Sequence, residues 1–393
     1  MVVMVDCGDW DLKFESFRRR LCWIRPARLG RRARSGAAYY GMDASRFQAT
    51  IGGQAMEADV TFDMVAIDLG KLSFHLHGVS SDGVVLSRKV SRAKLFAVVT
   101  ELAPAIIAME ACPSAHYWGR RFQEAGRHVR LIHPRFVKPF VRGAKNDAID
   151  AEAIFEAASR PTMRFVPVKT IVQQDLQAVH RIRDRLICQR TALINQVRGL
   201  LAEYGIILAK GPSRLTTEGP AAVADAGLSD LAREVFVDLF DQLRDLERRI
   251  GALDTRLVAI CRENAASRRL ATVPGVGPVI ATALVASIDD GRHFRSGRQL
   301  AAWIGLVPRQ YTTGGKPKLG GIGKQANHYL RRQMIHGARS VAFRASGRGD
   351  VRSRWLQALV ARRGFNRAIV ALANKTARIA WALLTRQEVY QTA

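Results

Sequence analysis

Four carboxylates, Asp68, Glu110, Asp147 and Asp150, have the types and surroundings to hold divalent cations. Asp68 lies near the end of the apolar run Phe62 to Leu69, and Glu110 directly follows the run Ala105 to Met109. Asp147 and Asp150 are three residues apart in a helix-forming stretch, which puts them on one helix face. Carboxylates in apolar runs are costly unless they are solvated or bind cations. Their hard oxygens select Mg2+, with Mn2+ as a substitute in vitro. Such ions activate an attacking group and offset charge on a phosphate, which is phosphodiester chemistry. Each acid also has a local explanation: a turn before Gly70, a cap on the helix after Glu110, a solvated face for Asp147 and Asp150.

A second set lies in the glycine-rich stretch from Gly305 to Lys324. Thr312 and Thr313 precede Gly314 and Gly315 in a loop flanked by Arg309, Lys316, Lys318 and Lys324. A hydroxyl so placed can attack phosphorus while cations stabilise the transferring group, or can simply bind phosphate. Arg331 and Arg332 follow at the start of a helical pattern, suited to neutralising a nucleic-acid backbone. Upstream, Val273 to Pro278 reads as a tight hairpin leading into a helix. Gly275 and Gly277 there permit close backbone approach to a phosphate, as in a helix-hairpin-helix contact, or form a plain turn between packed helices.

The elements that must position these groups follow from hydrophobic period. Phe62 to Leu69 and Ser73 to Val79 are strands, and Ser80 to Gly83 a turn before a third strand opening at Val84. A helix over Ala93 to Leu102, a strand to Met109, a helix over Ala115 to Ala125 and a strand over His128 to Ile132 complete an α/β domain with a mixed sheet, residues 61–165. Pro161 and Pro167 bracket a linker. Residues 170–262 read as a helical or coiled-coil middle, with Leu243, Leu246, Ile250, Leu253, Leu257 and Ile260 in a/d rhythm that serves dimerisation or intramolecular packing. Gly211, Pro212 and Gly219, Pro220 interrupt its arms. Residues 268–386 form a mainly α-helical domain ending in a stripe of Phe365, Ile369, Leu372, Ile379 and Leu383 expected in the core. Residues 1–60 read as a flexible basic arm or an over-long start, with Met42 and Met56 as internal alternatives.

The whole chain sets the partner class. Its 61 Lys and Arg against 34 Asp and Glu give a net charge of +27, so a polyanion is expected, and 48% apolar content argues for a folded protein. Between Arg295 and Arg378 stand 18 Lys or Arg and the single acid Asp350, a distribution that nucleic-acid contact explains most simply. No apolar run is long enough to span a bilayer, and no membrane partner is expected. Five cysteines without a CxxC pair indicate neither a disulfide framework nor a zinc knuckle, and a cytoplasmic protein without a targeting segment is expected.

Taken in order, the blocks Val65 to Lys71, Met109 to Cys112, Lys145 to Glu152, Pro274 to Gly277, Phe294 with Gly305 to Pro308, the Thr-Thr-Gly-Gly loop and Asn366 to Lys375 resemble the transposases of bacterial insertion sequence family 110, especially its 1111-like branch. The resemblance runs from about residue 62 to 385. It implies an RNase H-like amino-terminal domain like that of Holliday-junction resolvases, with Asp68, Glu110, Asp147 and Asp150 as a metal-binding acidic tetrad. It implies a carboxy-terminal transposase domain that supplies a nucleophilic hydroxyl, recombination through a covalent protein–DNA intermediate, and a bacterial, nucleoid-associated location. It further implies double-stranded DNA of element ends and target as substrate and an element-encoded bridge RNA as guide. Homodimers or homotetramers with composite sites complete the expectation. One departure stands out: where the family commonly has serine, this chain has Thr312 and Thr313, either of which can be the nucleophile, with Thr313 favoured and Ser296 an outside candidate. A structure-selective junction nuclease and an inactive nucleic-acid-binding relic are the alternatives.

Overall fold

The structure, a computed structural model, describes residues 60–143, 146–323 and 326–391. The expected basic arm over residues 1–60 lies, apart from Val60, outside the described residues, as does Lys324. The described residues divide into two compact units, one holding Ala192–Arg244 and the other the described residues up to Thr191 and from Asp245 onward.

In the larger unit the chain opens with β1 (Met64–Leu69), β2 (Ser73–Val79), β3 (Val85–Ser91), α1 (Leu95–Leu102), β4 (Ile106–Glu110), α2 (Ala115–Glu124) and β5 (His128–Ile132). Then come the short α3 (Pro134–Val137), α4 (Asp147–Ala158) and β6 (Phe165–Val166). The six strands form one mixed sheet in the order β3-β2-β1-β4-β5-β6, in which β1 is antiparallel to β2 and parallel to β4. The segment expected as a plain linker between Pro161 and Pro167 contributes β6, an edge strand antiparallel to β5.

Strands β1 and β4 are covered on both faces, which is why they read as apolar runs without alternation. Val65, Ile67, Ile107 and Met109 face a core shared with Leu95, Val99, Trp118 and Phe122 of α1 and α2. Met64, Ala66 and Ala108 face the other way, toward Ala153, Ile154, Ala157 and Ala158 of α4. The small side chains on this second interface let α4 sit close to the sheet, and that closeness positions the first turn of α4 near the strand ends.

The middle of the chain is helical: α5 (Ile171–Glu203), α6 (Pro212–Asp225) and α7 (Asp230–Glu263). Gly219 and Pro220, expected to break the chain, lie inside α6. The reason is packing within the smaller unit: a Cβ at Gly219 would stand 2.7 Å from the Phe240 ring, so the glycine admits α7 rather than making a turn. Along α7, Leu243, Ile250 and Leu257 are buried, while Leu246, Leu253 and Ile260 are partly covered.

The carboxy-terminal part is mostly helical, built from α8 (Ala265–Ala271), α9 (Pro278–Ile288), α10 (Gly297–Ile304), the strands β7 (Pro308–Thr313) and β8 (Lys316–Ile322), α11 (His328–Ala345), α12 (Val351–Arg363) and α13 (Phe365–Arg386). Helix α9 is buried nearly all round, as expected of a central helix. The final stripe buries Ile369, Leu372 and Leu383, but Phe365 is 38% exposed against Phe343, because Gly364 (φ 82°) ends α12 and starts a new helix there. Gly337 on α11 packs against the Gly275 carbonyl with no room for a side chain. We expect Gly337→Ala to destabilise the protein by about 1–3 kcal/mol, read from denaturant unfolding, since overpacking forces the backbones apart. An unchanged midpoint would show that the contact yields freely.

Candidate functional site

Side-chain alternation along the strands decides where two of the four carboxylates point. Asp68 follows Met64 and Ala66 at steps of two, and Glu110 follows Ala108, so both share the α4 face of the sheet. Asn146 caps α4 by accepting from the Ala148 N–H at 3.0 Å, which fixes Asp147 and Asp150 in the first turn. Acids there are also favoured by the helix dipole. The result is that carboxylate oxygens of Asp68, Asp147 and Asp150 lie within 4.8 Å of one another. Glu110 stands outside this tight triad but interacts electrostatically with Asp150 and Asp68.

Burial, followed by the charges of Asp150, Asp147 and Glu110, raises the Asp68 pKa from 3.8 to about 6. Burial and Asp150 likewise push Glu110 up. Among the described residues none of the four ion-pairs with Lys or Arg, in a protein carrying 61 of them. Burial and mutual repulsion thus oppose charge on these acids, a cost that a bound cation would offset. The donor set fits one: oxygens around a single Mg2+ span at most ~4.2 Å, twice the ~2.1 Å bond, so modest inward rotation of the carboxylates suffices.

Two neighbours were not legible as site residues. His75 pairs with Asp68 across the β1–β2 ladder, and its ring Nε2 lies 3.0 Å from Ser87 Oγ. Burial lowers its pKa while Asp147 opposes that shift. The signal was the alternation of His75 and His77 along β2. Cys112, two residues beyond Glu110, is held protonated: burial, Glu110 and Asp68 push its thiol up to about 11, so it is no nucleophile at neutral pH.

The expected loop around Thr312 is instead a β-hairpin, β7–β8, turned by Gly314 (φ 56°) and Gly315 (φ 76°). Two consecutive positive φ angles make the two-residue turn that matches strand twist, and glycine alone takes both without strain. Every residue from Pro308 to Gly321 is exposed. Pairing separates the two hydroxyls. Thr313 stands opposite Lys316, and Tyr311 opposite Lys318, with Arg309 Nη1 3.5 Å from the Tyr311 hydroxyl, so Thr313 shares its face with three cations. Thr312 stands opposite Pro317 on the other face and accepts from Gln310 Nε2 at 3.0 Å. Ser296 caps α10, its oxygen accepting from the Gln299 N–H at 3.3 Å.

The remaining expected phosphate contacts differ among themselves. Gly277 is open where α9 begins, whereas Gly275 is turned onto Gly337 and Val341 of α11. Arg331 and Arg332 donate within the fold instead: Arg331 to the Gly323 carbonyl, and Arg332 to Asp184 while lying over the Tyr329 ring. Among the described residues no helix is long and apolar enough to cross a membrane.

Comparison with known proteins accounts for both halves. A family model described as Transposase matches residues 65–206, and the model of the Transposase IS116/IS110/IS902 family matches residues 267–355. A "Probable family 20 transposase" of Pseudomonas aeruginosa is 50% identical over 331 residues, covering 83% of this chain and 98% of that protein. The "Transposase for insertion sequence element IS1111A" of Coxiella burnetii is 45% identical, covering 84% of this chain and 91% of that protein. The "Transposase for insertion sequence element IS1328" of Yersinia enterocolitica is 39% identical across 83% of this chain and 98% of that protein. The ordered sequence blocks, the clustered acids and these matches agree: the chain belongs to the IS116/IS110/IS902 family of transposases, enzymes of DNA transposition.

Proposed function

We propose that this transposase cleaves and exchanges DNA strands in two cooperating places, an Mg2+-binding acidic tetrad and the hydroxyl of Thr313. The observation that carries the proposal is the cluster of Asp68, Asp147 and Asp150 within 4.8 Å without a neutralising Lys or Arg among the described residues. Bound there, Mg2+ supplies charge neutralisation at the scissile phosphate and the leaving oxygen. Asp68, Glu110, Asp147 and Asp150 would hold it. The Thr313 oxygen attacks phosphorus, forming a phosphothreonine ester as one P–O bond of the DNA breaks. The hydroxyl proton passes to the departing sugar oxygen through solvent, and Arg309, Lys316 and Lys318 balance charge on the phosphate.

The strand order, with β1 antiparallel to β2 and parallel to β4, supports an RNase H-like reading of the amino-terminal sheet. The glycine hairpin between α8 and α9, open at Gly277, supports a helix-hairpin-helix-like phosphate contact. The family resemblance supports an element-encoded bridge RNA, double-stranded element ends and target as substrates, and homodimers or homotetramers in which the tetrad and the exposed hairpin come from different subunits.

A suicide DNA substrate that cannot be religated tests the covalent step. Incubated with Mg2+, the protein is expected to remain on the DNA through denaturation, with the adduct mapping to the peptide that contains Thr313. Metal-dependent cutting of four-way junctions without any adduct would replace this reading by a structure-selective nuclease.

A further inference from the structure

A second electrostatic anomaly, opposite in sign to the acidic site, lies where α2 meets the segment between β6 and α5. Gly119 eases this approach: a Cβ there would stand 3.0 Å from a Val168 methyl, a tight contact that glycine avoids. His116 and Arg120 of α2 are thereby brought against Lys169. The Lys169 N–H donates to His116 Nδ1 at 3.2 Å, and Arg120 Nη1 donates to the Lys169 carbonyl and to Gln174 Oε1, each at 2.8 Å. Lys169 Nζ reaches Gln177 Oε1 at 3.2 Å. Arg181, one turn further along α5, interacts electrostatically with both His116 and Lys169.

Among the described residues no carboxylate pairs with His116, Arg120, Lys169 or Arg181. Burial and Arg181 pull the Lys169 ammonium below its usual range. Burial, then Lys169, Arg120 and Arg181, lowers His116 to about 4. Because His116 Nδ1 accepts from the backbone, its neutral ring carries its proton on Nε2, a free donor. Gln177 and Arg181 also line a cavity of about 150 Å³ together with His180, Asn327 and Tyr329. At ~30 Å³ per water this holds several waters or one phosphate group. The one carboxylate on the cavity, Asp184, is already paired with Arg332.

We infer that Arg120, Lys169, Arg181 and the Nε2–H of His116 form a phosphate-binding site for the backbone of duplex DNA, separate from the acidic tetrad. Arg120 and Lys169 are partly buried, Arg181 is exposed beside them, and the three meet no carboxylate among the described residues, so an external anion would relieve their repulsion. A backbone phosphate is the anion a DNA-transacting enzyme meets. The inference rests on that reading of the chain. His116 follows Glu110 by six positions, so at most ~20 Å separates their Cα atoms and one bound duplex can reach both sites. The phosphate site is a positioning contact that sets where the duplex lies, not a group that touches the scissile bond.

Lys169 and Arg181 are the residues to change, because neither side chain holds up a backbone group. Full-length protein and its Lys169→Gln/Arg181→Gln double variant are titrated with duplex DNA of arbitrary sequence across a NaCl series. Two lost phosphate contacts are expected to reduce the slope of log affinity against log salt by about 2. An unchanged slope overturns the site, and a change seen with a structured RNA probe but not with duplex DNA overturns the assignment to DNA. Thermal unfolding gives the second readout. Inorganic phosphate is expected to raise the wild-type midpoint more than the variant's, and the variant without phosphate is expected to melt no lower than wild type. Equal phosphate shifts, or a variant that melts well below wild type, would make the cluster a structural feature and overturn the proposal. Asp147→Asn separates the two readings: it is expected to keep the wild-type slope while cleavage is lost, and persistence of cleavage would count against the acidic site, not against this one.

Discussion

Asp68→Asn is expected to lower Mg2+-dependent strand cleavage by about 10³-fold while DNA binding persists, and at the same time to make the metal-free protein more stable. The catalytic loss corresponds to ~4 kcal/mol, the scale on which a bound cation stabilises phosphoryl charge. The stability gain follows from the sign of the Asp68 shift. Its pKa in the fold is raised to about 6 from 3.8, so the charged form is disfavoured in the folded state. That destabilisation grows as pH rises from 3.8 through about 6 and is complete at pH 7. Asparagine removes the charge and with it the repulsion from Asp150 and Asp147.

Mg2+ should act in the same direction on the wild type. A cation that binds only the folded state stabilises it by ~2.7 kcal/mol at a hundredfold excess over its dissociation constant. The thermal midpoint at pH 7 is therefore expected to rise with Mg2+ in wild type and to respond much less in Asp68→Asn. Equal Mg2+ responses in the two proteins, or undiminished cleavage by the variant, would remove Asp68 from the cation site. A site that is destabilising when empty is what separates a functional cluster from a solvated acidic face, whose substitution leaves stability nearly unchanged.

The elements carrying this site were readable because their physics is local. β1 and β4 are apolar on both faces, α1 and α2 are amphipathic, and each left a period in the sequence. Convergence was not local. Nothing near Asp147 announces Asp68; the two meet because Ala66, Ala108 and the alanines of α4 let a helix settle closely on the sheet. Some local signals have two physical causes. Gly219 beside Pro220 looks like a turn, yet its lost side chain makes room for Phe240. The hairpin β7–β8 left no apolar alternation because neither of its faces is buried, and only the Gly314-Gly315 pair marked it. Arg331 and Arg332 looked free for phosphate because their acceptors, the Gly323 carbonyl and Asp184, are brought in by the turn before α11 and by a helix far away in sequence.

Removing the Thr313 hydroxyl alone, as in Thr313→Val, is expected to abolish the covalent protein–DNA adduct, at least ~10³-fold, because no other step supplies a nucleophile of the same geometry. Valine keeps the shape and the β propensity, so the hairpin is retained and the loss is chemical. Thr312→Val is the matched control. Its oxygen faces away from Lys316 and Lys318 and already accepts from Gln310, so its removal is expected to change adduct formation less than about tenfold, a loosened strand costing under ~1.4 kcal/mol. The opposite ranking would move the nucleophile by one residue and, since neighbouring strand residues point to opposite faces, would put the attacking oxygen on the face without the cations. In Thr313→Ser the serine keeps the oxygen and deletes the methyl that crowds an in-line approach, so a rate at or above wild type is expected in single-turnover trapping. A slower serine variant would mean that the methyl holds the hydroxyl in its reactive rotamer, making threonine at the Gly314-Gly315 turn an adaptation of this hairpin and not an obstacle to it.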